Sequence, residues 1–544
     1  MFYPALMDTR TPQGMSEEWV IRRGWRCALL LIIFLQFGCT KVGPNYVRPE
    51  TNVRSNWLES EDHRVKSTPA DDRGWWHVFN DPVLDRLIDT AYRQNLTIRI
   101  AAVRVLEARA QLGIAVGRLY PQTQQASGSL AYNRLSQNSQ FGSLTSGTGS
   151  TYTQDQIGLN ATWEIDFWGK FRRAIESADA NLQASVADYD SALVSLTADV
   201  ADLYILLRTL ESRLEIARQN MESQRETLAI TEARWRAGAS SERDVEQART
   251  VLFSTEATIP ALQTQLQQNR HALSVLLGLP PSDLSAFLDG TSAIPVAPIE
   301  IAVGIPADLL RRRPDVRSAE FQAVSQGAQI GVARADLLPS FSLTGSFGLL
   351  STNIGRSGLG DIFNWGSRAY TAGPGFQWNL FNYGRIVNNV RLQDSRFQEL
   401  LINYQNIVLR AQQDVEDALS GFLRSREQAE SHARSAEAAR RSLELAGTQY
   451  RGGVVDFTTV LTGQQALLSQ QDSLASTLGE ISRNVVRTYR ALGGGWEIRE
   501  GKDLIPPEVR EVMAGRTDWG DLLSPATYMP IPEERKDIIR QPDW

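Results

Sequence analysis

The chain contains a long internal repeat, and this repeat limits what it can fold into. Residues 163–278 recur almost without gaps 215 positions later, as residues 378–493. The tryptophans that open the two copies, the glycines Gly169 and Gly384, and the Leu-Gly pairs that close the copies all keep this offset. A period this long is far beyond that of a solenoid repeat. The sequence therefore predicts two large homologous halves that form one architecture.

Each copy predicts one very long helix. The stretches from Gly169 to Gly238 and from Gly384 to Gly453 both span 70 residues, which is about 105 Å of helix at 1.5 Å per residue. In the first copy the apolar residues alternate steps of four and three, the 3.5-residue period of a coiled-coil seam, and the second copy fills the equivalent places with smaller residues. By themselves these heptads favour a dimeric coiled-coil rod. The two seams are Tyr189, Leu193, Leu196, Val200, Leu203, Leu207, Leu210, Leu214, Ala217 and Met221, and Tyr404, Val408, Ala411, Val415, Ala418, Phe422, Ser425, Ala429, His432 and Ala436.

Four shorter helices are predicted to accompany the long ones. In the first half they cover residues 84–119, after the capping residue Asp81, and residues 241–277. In the second half they cover residues 314–338, where Pro314 restarts the helix, and 457–492. Because the paired lengths approach that of one long helix, we expect two short helices to stack end to end beside each long one. The N-terminal arm, the linker 279–305 and the C-terminal segment should meet at the junction.

Before each long helix the hydrophobic period changes to two, which predicts strands at about 122–167 and 340–382 with one apolar and one polar face. Their length and terminal aromatic residues are typical of transmembrane barrel strands. The hairpin loops, at residues 136–150 and about 351–369, are rich in Ser, Gly and Asn. A fragment of a soluble sandwich is the alternative, but four strands cannot close a sheet or hide its two edges. Several chains would have to share one barrel. The apolar rows are Ile157, Leu159, Ala161, Trp163 and Ile165, and Phe341, Leu343, Gly345, Phe347 and Leu349.

The first 38 residues carry a secretory signal. Three arginines precede the apolar run 27–37, which is too short to span a bilayer, so the mature chain is exported. Translation from Met15 would give a more usual n-region. Only two cysteines exist, Cys27 inside the signal and Cys39 at its end, so the mature chain has no disulfide.

Cys39 is the predicted site of a covalent lipid. A cysteine directly after the apolar run and Gly38 looks like a bacterial lipobox, in which the thiol is acylated and becomes the new N-terminus. Gln36 and Phe37 depart from the usual residues of that pattern. An ordinary signal with an incidental cysteine is the alternative. Acyl chains contribute about 0.8 kcal/mol per buried methylene, so several together would anchor the chain.

Four further motifs resemble one protein family from Cys39 to Trp496. They are Trp75-Trp76 with Phe79-Asn-Asp-Pro-Val-Leu84, Leu309-Leu-Arg-Arg-Arg-Pro314-Asp-Val-Arg-Ser-Ala-Glu320, Gln329-Ile-Gly331-Val-Ala-Arg-Ala with Pro339, and Leu492-Gly-Gly-Gly-Trp496. Together they resemble the outer-membrane efflux factors of the TolC/OprM kind, and in particular the NodT-like lipoproteins that work with RND-type pumps.

This resemblance implies an α+β membrane protein whose trimer forms one outer-membrane β-barrel, with four strands per chain, continued by a long periplasmic α-helical barrel and a mixed equatorial region. It divides the chain into a signal (1–38), a lipidated arm with an equatorial segment (39–80), two repeats (81–290 and 291–495) and an equatorial or periplasmic tail (496–544). It also implies a periplasmic adaptor protein, an inner-membrane RND-type pump and outer-membrane lipid as partners.

Two helix turns are the predicted adaptor contacts. A glycine in each supplies the left-handed conformation that ends a helix, and Ser241 or Asp456 can cap the next helix. The alternative is that these residues only make the turn. The family's matching turns contact the adaptor, so the resemblance implies that role for Arg236, Gly238, Arg451 and Gly453.

The periplasmic gate is predicted just after the second turn. Related channels close there with a Leu ring and an Asp ring, whereas this chain has Thr458 and Thr462 at those places, four residues apart on one helix face. Asp456 is the nearest carboxylate. We therefore expect a tip closed by packing, hydroxyl hydrogen bonds and inter-chain contacts of Arg451 instead of an acidic ring.

No enzymatic or nucleic-acid chemistry is predicted. The four histidines lie far apart without metal-ligand spacing, and the sequence has no phosphate loop or nucleophile elbow. The formal net charge of −6 argues against a nucleic-acid partner. Apart from the lipid on Cys39, no cofactor is expected.

The predicted function is a passive, gated duct that exports small molecules across the periplasm and outer membrane. An exit duct for secreted polypeptides is one alternative. A structural protein that bridges the outer membrane and the cell wall is another. The sequence does not identify the transported substrate, because a wide duct need not select strongly.

Overall fold

The computed structural model describes residues 41–68, 73–136, 151–289, 292–308, 312–353 and 358–525. The signal, Cys39 and the last residues of the tail lie outside these ranges. The strands are β1 (Val65–Lys66), β2 (Thr123–Arg134), β3 (Thr151–Ile165), β4 (Ile301–Ala302), β5 (Ser340–Thr352) and β6 (Arg368–Gln377). The α-helices are α1 (Pro82–Gln94), α2 (Leu96–Gly117), α3 (Lys170–Arg236), α4 (Glu242–Leu276), α5 (Pro314–Ala335), α6 (Arg385–Arg451), α7 (Phe457–Leu492) and α8 (Pro507–Ala514).

The two long helices of the repeat are confirmed. Both α3 and α6 have 67 residues. Every seam residue is buried except Leu203, Met221 and His432, which are half-buried. All six repeat glycines have positive φ. Gly238, Gly278, Gly453 and Gly493 follow helices, where a left-handed residue ends the helix, whereas Gly169 and Gly384 directly precede α3 and α6. The duplicated sequence pattern therefore corresponds to a duplicated backbone.

The prediction of one continuous helix at residues 84–119 is wrong, because the helix is interrupted at Asn95. Asn95 has ψ 125° and separates α1 from α2. Its side-chain oxygen accepts a hydrogen bond from the backbone N–H of Ile98 (3.0 Å) and thereby caps α2. The expected cap at Asp81 is confirmed, since Asp81 Oδ1 accepts from Val83 N (2.9 Å).

The end-to-end stacking of short helices is confirmed, at a corrected position in the first half. Asn95 Nδ2 donates to Leu276 O (2.9 Å), so the end of α4 lies against the start of α2. In the second half Arg313 Nη1 donates to Ala491 O (3.0 Å), which brings the end of α7 to the start of α5. Each junction thus supplies a side-chain donor to a carbonyl that its helix leaves unpaired.

The arm, linker and tail do meet beside these junctions. Strand β1 of the arm pairs in parallel with β4 of the linker. In the tail, Arg499 forms a bidentate salt bridge with Asp190 of α3, in which Arg499 Nη2 lies 2.9 Å from Asp190 Oδ2. Both side chains are buried. Arg317 lies 3.5 Å from the same carboxylate. The buried Asp190 carboxylate is thus paired with two guanidinium groups, and the three side chains form a structural ion cluster.

A four-stranded antiparallel sheet in the order β2-β3-β5-β6 contains the predicted strands. The register places Leu159 opposite Phe347 and Ile157 opposite Leu349, so the two predicted apolar rows share one face. The outer strands β2 and β6 each pair on one side only among the described residues. The first hairpin loop lies largely outside the described residues, whereas the second contains two short 3-10 helices.

The chain divides into two compact units. One contains the sheet and comprises residues 1–44, 116–174 and 328–392, and the other contains most of the helical residues and comprises 45–115, 175–327 and 393–544. Among the described helices, none is both long and apolar enough to cross a membrane.

Candidate functional site

The first predicted contact turn is a well-formed helix-to-helix connection. Helix α3 ends at Arg236, and Gly238, with φ +73°, lets Ala239 N reach back to Arg234 O (2.8 Å). Ser241 then begins α4 through a reciprocal cap: Asp244 N donates to Ser241 Oγ, and Ser241 N donates to Asp244 Oδ2, both at 3.2 Å. The predicted cap at Ser241 is therefore confirmed.

The second turn has the same backbone but a different start for its following helix. Gly453, with φ +74°, allows Val454 N to donate to Gln449 O (2.9 Å) after α6 ends at Arg451. Asp456 occupies the N-cap position of α7, but its side chain makes no capping hydrogen bond. The expectation that the Asp456 carboxylate caps the helix is wrong. Its exposed carboxylate remains in solvent, where charge is well solvated.

The structure brings the two turns together in one packed cluster. Side chains from the ends of α3 and α6 and the starts of α4 and α7 share a small hydrophobic core. One packed core therefore holds both turns. The buried members of this core are Ala248, Val251, Ala446, Phe457, Val460 and Leu461.

A cation–π contact joins the two turns and was not predicted from the sequence. The guanidinium of Arg234, on α3, lies 4.5 Å from the centroid of the Tyr450 ring, on α6. That ring also packs against Phe457, with centroids 5.2 Å apart. The repeat offered a signal, since Tyr450 occupies the place of the aromatic Trp235 in the first copy.

Ion pairs reinforce the first turn. Glu232 accepts from Arg249 across the turn (2.8 Å) and lies 3.3 Å from Arg236. The hydrogen bond from Arg249, followed by the charges of both arginines, lowers the pKa of the Glu232 carboxyl. Because Glu232 and Arg249 are half-buried and Arg236 is exposed, these pairs are largely solvated and orient the turn more than they stabilise it.

The three predicted gate residues lie at the start of α7. Thr458 and Thr462 are exposed and share a helix face, and Thr462 Oγ1 donates to Thr458 O (2.9 Å). Phe457, Val460 and Leu461 form the opposite, buried face. Asp456, Thr458 and Thr462 are thus available to another molecule, while the core of the turn is held by their neighbours.

Farther along the helices from the turns, α3 and α7 are joined by polar contacts that the sequence analysis did not predict. Gln464 Nε2 donates to Thr227 Oγ1 (2.7 Å), and Asn220 Nδ2 donates to Gln471 Oε1 (2.9 Å). Further along, Arg213 pairs with both oxygens of Asp472, at 2.7 and 3.0 Å. These residues lie off the apolar heptad positions, so periodicity did not identify them.

Cys39 lies outside the described residues, but the chain that follows it is docked within the sheet-containing unit. Val42 N donates to Trp168 O (3.0 Å). Arg173, which is 1% exposed, donates to Val42 O (3.0 Å) and Gly43 O (3.2 Å). Gly331 makes room for this arm, because a Cβ there would lie 2.7 Å from Val42 O. The Gly331 motif therefore has a packing role.

No metal centre was predicted, and none of the described His, Cys, Asp and Glu residues form a group of three or more that could hold a metal ion.

Comparison with known proteins matches two segments, residues 87–279 and 305–494, to the model of the outer membrane efflux protein family. The chain is 33% identical to the pyoverdine export outer membrane protein OpmQ of Pseudomonas putida, covering 81% of this chain and 92% of that protein. It is 32% identical to nodulation protein T of Rhizobium leguminosarum bv. viciae (87% and 94%) and 30% identical to the probable outer membrane lipoprotein SilC of Salmonella typhimurium (85% and 97%).

Solved structures give the same fold. The outer-membrane channel OprN matches with a TM-score of 0.77 and 31% identity, covering 84% of this chain and all of that chain. The Campylobacter jejuni CmeC outer membrane channel matches with a TM-score of 0.77 and 27% identity, covering 85% and 96%. The resemblance drawn from the sequence motifs is confirmed.

Proposed function

Since this chain belongs to the outer membrane efflux protein family, we propose that three copies of it form a passive, gated duct for small molecules. The chain is the outer-membrane channel component of a tripartite efflux system. Its family consists of transport channels and not enzymes. The trimer, the gate that closes the duct, the lipid anchor and the adaptor contact are parts of this proposal.

The open sheet is the observation that carries this proposal. Among the residues that the structure describes, the sheet has four strands, and the outer edges of β2 and β6 pair with no further strand. Its apolar face is exposed, with Leu159 at 61% and Phe347 at 54%. Unpaired backbone groups are not tolerated in a bilayer, so the sheet must close with other strands. Three copies, each contributing its four strands, would close it with the apolar face toward lipid and the polar face toward the lumen.

A bilayer recording of the purified protein tests the duct. We expect a trimer by native mass spectrometry and an ion-conducting channel whose conductance rises when the tip contact is removed by Tyr450→Ala. Ser346→Trp, on the polar face of β5, should lower that conductance, whereas Phe347→Trp, on the apolar face, should not. A protein that never conducts, even with the tip altered, would instead be a structural scaffold of the envelope.

We propose that a lipid on Cys39 anchors the mature N-terminus. The docked arm supports this, because Lys41, two positions after Cys39 in the sequence, lies against Gly169, which follows β3. Intact-mass spectrometry should show a mature chain that starts at acylated Cys39. An unmodified chain that starts elsewhere would contradict this. Cys39→Ala with a conventional signal should still insert, because the strands carry the membrane-spanning surface.

The adaptor contact is proposed at the two turns. Arg236 and Arg451 are exposed, and neither Gly238 nor Gly453 has any atom near its missing Cβ, so the backbone there is open to an approaching helix. The partners would be a periplasmic adaptor and an inner-membrane RND-type pump. Arg451→Glu, which keeps the glycine of the turn, should weaken adaptor cross-linking and efflux while leaving the amount of channel in the membrane unchanged. Unchanged efflux would contradict the contact.

The gate is proposed at Thr458 and Thr462. If three copies of this helix face converge, Thr462→Asp adds three carboxylates to the constriction and should increase cation selectivity in single-channel recordings. Asp456→Asn is the matched control and should change selectivity little. The opposite result, in which Asp456→Asn abolishes cation preference and Thr462→Asp has no effect, would place the gate on Asp456.

A further inference from the structure

Residues 358–367, within the second hairpin loop, have a defined structure. Asp361 organises it: its Oδ2 accepts from Gly358 N (2.8 Å), its Oδ1 accepts from Asn364 Nδ2 (2.9 Å), and its backbone oxygen accepts from Ser367 Oγ (2.7 Å). Three hydrogen bonds converging on one residue limit the conformations available to so short a loop. The loop therefore presents its side chains in fixed directions.

Burial shows which face of the sheet this loop covers. Ser351 lies at the end of β5 on the same face as Phe347, since side chains alternate along a strand. Ser351 is only 5% exposed, and its hydroxyl donates to Gly358 O (3.0 Å). Its register partner Asp155 has a buried carboxyl oxygen, while Leu350, on the opposite face, is 37% exposed. The loop thus folds onto the apolar face, at the end of the sheet where β3 begins and β5 ends.

The outer surface of this loop combines exposed aromatic rings with a cation. Phe363 is 80% exposed and Trp365 is 76% exposed. Arg368 belongs to the apolar face, opposite Leu349, and its guanidinium lies 3.3 Å from the centroid of the Trp365 ring. We call Phe363, Trp365 and Arg368 the loop patch. Exposed aromatic clusters of this kind mark interaction surfaces.

We propose that the loop patch contacts the outer leaflet of the outer membrane, with Phe363 and Trp365 inserted at its interface and Arg368 bound to lipid phosphate groups. This rests on the proposed barrel, in which the apolar face meets lipid and the hairpin ends lie outside the cell. The patch is continuous with that face. Aromatic rings favour the membrane interface, and a cation there is attracted to anionic headgroups.

Spin labelling provides the test, because the mature chain has no cysteine other than Cys39. Single cysteines would be placed in a Cys39→Ala background at Ser346, Phe347 and Phe363, labelled with a nitroxide and reconstituted in vesicles that contain lipopolysaccharide. Ser346 and Phe347 are neighbours on opposite faces of β5 and serve as matched controls. Collision with oxygen reports lipid, and collision with a water-soluble nickel chelate reports water.

The Phe363 label should be more accessible to oxygen than to the chelate, as at Phe347. A label that behaves like Ser346, or that neither reagent reaches, would overturn the proposal, because the loop would then face water or the lumen. If the Ser346 and Phe347 labels do not differ, the barrel itself is wrong and the loop patch falls with it.

Binding of purified lipopolysaccharide to the detergent-solubilised protein tests the cation separately. Arg368→Gln should weaken binding about fivefold, the effect of one cation near an anionic lipid surface. Arg368→Lys keeps the charge and should restore most of the affinity. Equal binding by the native protein and Arg368→Gln would remove Arg368 from the patch.

Discussion

Docking of the N-terminal arm should fail when a single methyl group is added at Gly331. In Gly331→Ala the new Cβ would lie 2.7 Å from Val42 O and 2.8 Å from Arg173 Cγ, closer than real Cβ atoms approach. Either the arm stays and the site is overpacked, which costs about 1–3 kcal/mol, or the arm leaves. Undocking of the arm breaks the two hydrogen bonds from Arg173 and the hydrogen bond from Val42 N, at a cost of about 1 kcal/mol each. Both routes cost a similar amount.

Trypsin cleavage after Lys41 measures this change directly. When cleavage is slow relative to reclosing, its rate follows the population of the undocked arm. A cost of about 1–3 kcal/mol then makes cleavage about 5- to 150-fold faster, since each 1.4 kcal/mol is tenfold. Mass spectrometry of the released N-terminal peptide gives the rate, and cleavage at the exposed Arg236 is the internal standard.

Gly113→Ala is the matched control, because Gly113 lies inside α2 with nothing within 4 Å of its missing Cβ. It should favour helix formation by about 1 kcal/mol and leave cleavage at Lys41 unchanged. Equal rates at Lys41 for Gly331→Ala and Gly113→Ala would refute the close-approach argument, and would mean that the arm is not held against α5.

Three further experiments test the helical unit through the melting temperature and urea unfolding of the purified protein. Arg234→Ala and Tyr450→Ala should show a coupling of about 0.5–1 kcal/mol in a double-mutant cycle, and additive effects would contradict the cation–π contact. Arg499→Met leaves the Asp190 carboxylate buried without its main partner and should cost about 3–5 kcal/mol; adding Asp190→Asn should recover part of this loss, and no recovery would contradict the ion cluster. Leu193→Ala removes a fully buried seam side chain and should cost about 2–5 kcal/mol, whereas a cost below about 1 kcal/mol would mean that the seam is not the core.

The sequence determined the features that depend on neighbouring residues. The heptads predicted the helices α3 and α6, because residues with a 3.5-residue period lie on one side of a helix and are buried there whatever packs against them. The glycines at the two turns, Gly238 and Gly453, predicted where α3 and α6 end, since a left-handed residue there is a local requirement. Alternation gave the apolar face of the sheet for the same reason.

The tertiary structure decided how polar groups are used. Asp and Asn are both residue types that commonly cap helices, yet of Asp456 and Asn95 only Asn95 forms a capping hydrogen bond. The side-chain amide of Asn95 also donates to the backbone oxygen of Leu276 at the end of α4. Which partner a short polar side chain takes depends on what the fold places beside it. The break at Asn95 therefore could not be found in a sequence whose apolar pattern runs through it.

The contacts most specific to this chain join residues far apart in sequence. Arg499 and Asp190 are 309 positions apart, and the arm reaches Arg173 across 131. Both depend on close packing that local propensity does not describe. A sequence shows that Gly331 lacks a side chain, but only the folded chain shows that Val42 occupies the space a side chain would need, because that space is created by two segments that meet after folding.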